Sequence, residues 1–143
     1  MTTTLRAMVD QMFATIETMD VEAVVALFAE DAVFFDPHYP QPRMAGKTAI
    51  RQGLQWGMGA MKSMKFPIVN YFEHESGQKA VVEIATSHVL KMGMHLNFPQ
   101  VFVIEVSGNL LTRVQAYEPY GPHGINNIVL RLTRVAWRLS GKL

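Results

Sequence analysis

The hydrophobic period of this chain changes near residue 65, and that change limits the fold more than any single motif. Beyond it, residues 66–74, 80–91, 95–106 and 110–117 are rich in Val, Ile, Phe and Tyr, side chains that suit a pleated, half-buried surface. The connectors Glu75-Ser76-Gly77-Gln78, Met92-Gly93-Met94 and Ser107-Gly108-Asn109 have hairpin length and chemistry. Ahead of the change, Leu5, Met8, Val9, Met12, Ile16 and Met19 recur at spacings of three and four, the stripe of an amphipathic helix. Asp20 is a suitable N-cap for a second, short helix over 21–28. Ile50, Leu54, Met58 and Met61 predict a third helix over 47–61, in which Gly53, Gly57 and Gly59 each cost about 1 kcal/mol against alanine. Helices first and then consecutive long strands describe an α+β domain, with helices packed on one face of an antiparallel sheet.

At 143 residues the chain needs only one core. No apolar run approaches the roughly 20 residues that cross a bilayer, and the first residues lack the pattern of a secretory leader, so a cytoplasmic location is expected. Without cysteine there is no disulfide, thiol nucleophile or thiolate metal site. A formal net charge of +1 argues against a nucleic-acid partner. The charge is uneven, however. Arg131, Arg134, Arg138 and Lys142 stand in the last thirteen residues without an acid. Residues 125–139 return to helical period, so the chain is expected to comprise a domain over 1–124 and a basic amphipathic helix over 125–143. That helix should dock on its own domain or on a dimer mate, with contact to an anionic membrane as the alternative.

Asp36 ends the apolar segment Ala32-Val33-Phe34-Phe35, and Pro37 cannot continue a sheet ladder. The proline-rich segment 37–46 that follows is expected to be a loop. Asp36 is then either a turn residue accepting backbone hydrogen bonds or a carboxylate held against the core, where apolar walls raise its pKa and suit it to general-base work. Gln100 interrupts an apolar row formed by Leu96, Phe98, Phe102, Ile104 and Val106. A buried amide requires a partner in the protein, in water or in a ligand. Trp56, Met58, Met61 and Met64 form an aromatic and thioether patch suited to a core or a cavity wall. The five histidines show no metal-binding spacing, so no metal is expected. His38 stands beside Asp36, and His88 is placed to line a wall.

The string from Val25 to Pro37, followed by Gly46-Lys47-Thr48-Ala49-Ile50-Arg51, resembles the NTF2-like superfamily, and within it the ketosteroid isomerases and SnoaL-like polyketide cyclases. The resemblance covers roughly residues 5–120. It implies a cone-shaped curved antiparallel sheet with three N-terminal helices, here with an additional C-terminal helix. It places the general base on Asp36, the tyrosine donor of the isomerases on Met12, and their protonated acid near Gln100. Met12 has no donor, so Gln100 and Tyr117, at a cavity-facing aromatic position of the family, become the candidates for stabilising an enolate. Met12, Phe34, His38, Trp56, His88, Phe98 and Phe102 would bind the ligand. The implied activity is proton transfer on a small apolar molecule bearing a carbonyl or hydroxyl, leading to isomerisation or cyclisation without a cofactor. The alternatives are a non-catalytic ligand-binding protein and a dimeric interaction module, and a homodimer through the outer sheet face is expected.

Overall fold

The computed structural model describes residues 3–118 and 125–142. Its elements are α1 (Leu5–Glu17), α2 (Val21–Val25), β1 (Phe28–Phe35), β2 (Arg43–Ala45), α3 (Lys47–Ala60), β3 (Met61–Lys65), β4 (Ile68–Glu73), β5 (Lys79–Leu90), β6 (His95–Ser107), β7 (Leu110–Tyr117) and α4 (Ile125–Leu139). The Thr4 side chain caps α1 by accepting the Ala7 N–H, and the Asp20 carboxylate caps α2 by accepting the Ala23 N–H. The expected stripe of α1 is buried through Leu5, Met8, Val9 and Met12, with Phe13 beside them. Helix α2 is shorter than its pattern suggests because Phe28 already belongs to β1.

The sheet has seven strands in the order β2-β1-β7-β6-β5-β3, with β4 also paired to β5. It curls around the helical layer, and breaks in register between Glu105 and Val106, Ile68 and Asn70, and Met61 and Ser63 supply local bends. The expected purely antiparallel sheet requires one correction: β1 runs parallel to β7. Their connection passes through α3 and five strands, so no hairpin constrains their relative direction.

Two further expectations change. The segment 37–46 is not wholly irregular, since β2 pairs with β1 through Val33–Ala45, Phe34–Met44 and Phe35–Arg43. The three prolines lie ahead of it, leaving the residues of β2 free to pair. The strand expected over 66–74 is broken at Pro67, and Met61, expected to end the third helix, instead opens the strand β3. Both β3 and β4 lie along β5, so the bend at Phe66-Pro67 divides one edge between two strands.

Helix α3 uses two glycines for close approach. A Cβ at Gly53 would collide with Met44 Sδ, and one at Gly57 would lie 2.8 Å from the Tyr39 hydroxyl. Gly59 has open space around it. Helix α4 docks on the same chain: Leu130 and Trp137 are buried, and Arg134 Nη2 donates to the carbonyls of Pro37 (3.0 Å) and Tyr39 (3.4 Å). The expected boundary at residue 124 lies outside the described residues.

Candidate active site

The concave side of the sheet and the helices enclose a cavity of about 830 Å³. Its walls are mostly apolar. Phe34 comes from β1, Met12 from α1, Trp56 from α3, and Phe98 and Phe102 from β6. Met61 and Met64 also line it, from β3 rather than from a helix. Phe66 packs on Phe13 and Phe102 and meets the edge of His88, with ring centroids 4.9 Å apart.

Inward alternation along β1 buries Phe34 and, one residue past the strand, Asp36. Asp36 Oδ1 accepts the His38 backbone N–H at 2.9 Å, and its backbone N–H donates to Pro42 O. Asp36 therefore makes the turn contact expected of such a residue and also lines the cavity. Burial pushes its pKa up to about 6, with the His38 N–H pulling the other way.

Gln100 is also buried on the cavity wall, but both ends of its amide are engaged. Thr86 Oγ1 donates to Gln100 Oε1 at 2.5 Å, and Gln100 Nε2 donates to Glu118 Oε1 at 2.6 Å. The other Glu118 oxygen, Oε2, meets His38 Nδ1. The result is a polar line across the cavity, from Thr86 through Gln100 and Glu118 to His38, that returns through the His38 backbone to Asp36. The Glu118 side chain is only 3% exposed. Burial first, then the nearby negative charge of Asp36, pushes its pKa up to about 8, against the Gln100 hydrogen bond. Burial and the Arg134 cation both hold the His38 pKa down. Burial thus favours the protonated form of Glu118 over that of Asp36 and the neutral form of His38.

Tyr117 does not belong to this group. Its side chain is 51% exposed and does not line the cavity, because Val114 and Ala116 set the inward parity of β7 and that parity continues to Glu118. Glu118, Thr86, Tyr39 and Arg134 are the participants that sequence reasoning missed. Tyr39 is buried between Phe34 and Trp56, its pKa raised by burial and by Asp36 and Glu118. His88 lies on the wall as expected, and burial holds it neutral.

Asp36, His38 and Glu118 each offer a ligand atom, all within 4.8 Å of one another, a grouping that the spacing of the histidines does not reveal. Four of their side-chain atoms already serve one another or Gln100. The Arg134 cation also acts on His38, so positive charge already stands beside the cluster. The arrangement suits proton exchange between an ionised and a neutral carboxyl group in apolar surroundings.

A SnoaL-like domain model matches residues 9–114. No curated protein matches the chain. Among solved structures, a Mycobacterium tuberculosis protein in complex with estradiol-17β-hemisuccinate is 17% identical, with a TM-score of 0.73 over 82% of this chain and 96% of that one. SalBIII, an epoxide hydrolase/cyclase-like enzyme of pyran ring formation in the polyether salinomycin, is 17% identical, with a TM-score of 0.71 over 81% and 91%. A Catenulispora acidiphila protein of ketosteroid isomerase-like fold, in complex with trimethylamine, is 19% identical, with a TM-score of 0.69 over 80% and 85%. At these identities the likeness is one of fold. The family match, covering most of the sequence, goes further: the chain belongs to the SnoaL-like domain family.

Proposed function

We propose that the cavity binds a small apolar molecule bearing a carbonyl or hydroxyl group and catalyses proton transfer on it. The observation that carries this reading is the pair of buried carboxyl groups, Asp36 and Glu118, which the surroundings hold in different protonation states. Asp36 is the base. Its Oδ1 is occupied by the His38 N–H, whereas Oδ2 makes no hydrogen bond among the described residues and is free to take a proton alpha to a carbonyl. Glu118 and His38 form the donating half. With Glu118 protonated toward His38 Nδ1, the imidazole carries its proton on Nε2, the nitrogen left to meet a developing oxyanion. Gln100 orients Glu118 in place of acting on the substrate itself. Loss of the alpha proton to Asp36 leaves an enolate, and return of that proton to another carbon completes an isomerisation; attack of the enolate on a second carbonyl gives cyclisation.

Structural relatives of this fold crystallised in complex with small molecules support small-molecule binding. A non-catalytic carrier on the same fold is the competing reading, favoured by the apolar walls alone. The two are separated by incubating the protein with a panel of apolar ketones and enones in D₂O and following their alpha protons by NMR. Proton transfer predicts deuterium exchange above background that Asp36→Asn lowers by about 10²-fold or more, with ligand affinity largely kept. Binding without exchange in either form would leave a carrier. The same reading pairs two copies through the outer sheet face, where Phe72, Val81 and Tyr117 are exposed.

A further inference from the structure

The docked face of α4 accounts for only part of its apolar surface. Leu130, Arg134 and Trp137 face the domain. On the opposite side Ile128, Leu132, Val135 and Leu139 are between 51% and 85% exposed. At about 100° per residue these four fall within roughly 60° of one another, a continuous ridge aimed away from the protein body. Arg131 and Arg138, both exposed, border the ridge on one side. Residues 125–142 contain no acid.

We infer that α4 is an interfacial helix that lies on an anionic lipid surface. Three observations favour this occupant. First, the combination of an apolar ridge with basic residues alone on its flank matches a bilayer surface, where the ridge enters the acyl boundary and the arginines reach phosphate. Second, the same ridge on a second copy would bring a wholly basic helix against another, so self-pairing of α4 is opposed by charge. Third, the ridge is continuous with the rim of the cavity. Val129 is 54% exposed yet lines the cavity, and across the rim the turn after β5 presents Met92 at 79% exposure and Met94 at 49%, beside Lys91. Apolar groups therefore border the cavity from two separate elements, and the turn after β5 adds the basic Lys91. No helix among the described residues is long and apolar enough to cross a membrane; α4 would lie in the interface plane. The inference rests on this surface and holds whether or not the cavity carries out proton transfer.

The test is co-sedimentation of the full-length protein with vesicles of phosphatidylcholine alone and of phosphatidylcholine mixed with phosphatidylserine, with sedimentation velocity on the same samples without lipid. Binding to the anionic vesicles should exceed binding to the neutral ones by about tenfold or more and fall as salt is raised. Leu132→Asp with Leu139→Asp should abolish it, and Arg131→Glu with Arg138→Glu should reduce it to the neutral level. All four side chains are exposed, and an unchanged thermal transition in each double variant confirms an intact fold. Equal binding to both vesicle types, or none, overturns the inference. A mass change in solution that disappears in the leucine variant, without vesicle binding, assigns the ridge to a second copy instead.

Discussion

Asp36 and Glu118 define the chemistry residue by residue, and they carry a pH signature. If Asp36 must be ionised and Glu118 protonated, activity rises as pH passes about 6 and falls as it passes about 8. Glu118→Gln should remove the alkaline limb while leaving the acidic one. The same shifts oppose stability. Both folded pKa values lie above their ordinary values, so the folded state binds more protons than the unfolded one, and stability falls as pH rises from about 4 to 6 for Asp36 and on to about 8 for Glu118. His38 and His88, held neutral by burial, have the opposite effect below about 6.5, so the difference between variants isolates each carboxyl group. Asp36→Asn should therefore be more stable than wild type at pH 8, by about 1–3 kcal/mol, and the two should converge near pH 4. Denaturant titrations at the two pH values read this directly. Asp36 was visible in the sequence because a charge ends an apolar strand before a proline. Glu118 was also accessible: Arg113, Gln115 and Tyr117 share one parity, and two polar neighbours mark that face as outward. The family resemblance assigns Tyr117 to a cavity-facing position, whereas the parity of its strand turns it outward.

At the scale of elements, α3 shows where propensity and packing disagree. Glycine in a helix reads as a weakness, yet Gly57 admits the Tyr39 ring, which packs against Trp56 and Phe34 beside the cavity. Gly57→Ala gains up to about 1 kcal/mol in helix propensity but forces apart a buried aromatic contact, an overpacking cost of about 1–3 kcal/mol. Gly59→Ala meets nothing within 4 Å and should stabilise the protein. Opposite shifts in melting temperature would confirm this division, and a gain at both positions would show that Tyr39 moves aside freely. The helices and the long strands β5, β6 and β7 were legible because each repeats its period over many residues. Strands β2 and β3 were not. Their five or fewer residues contain Arg43, Lys62, Ser63 and Lys65, and they are strands because a neighbouring edge offers hydrogen bonds, a tertiary cause with little local signal.

In the whole molecule, the inner and outer faces of one sheet carry different roles. The inner face is committed to the cavity. On the outer face, the register aligns Phe72, Val81 and Val103 across three strands, and Val101 with Tyr117 in the next row. Phe72 is 63% exposed and Val81 39%, so this face carries a compact apolar patch that a second copy can cover. The outward Tyr117, set aside as a cavity residue, then has a role as an amphipathic contact at an interface. Val81→Lys combined with Tyr117→Lys should convert a dimer into a folded monomer in sedimentation velocity. Because Asp36, His38, Gln100 and Glu118 all come from one chain, the monomer should retain alpha-proton exchange per subunit within about twofold, provided the shifted equilibrium leaves the domain intact. Retained dimerisation in the double variant would move the interface off this face. A folded monomer that has lost exchange would mean that the second copy holds the cavity in its working shape, a dependence that the single-chain geometry does not require.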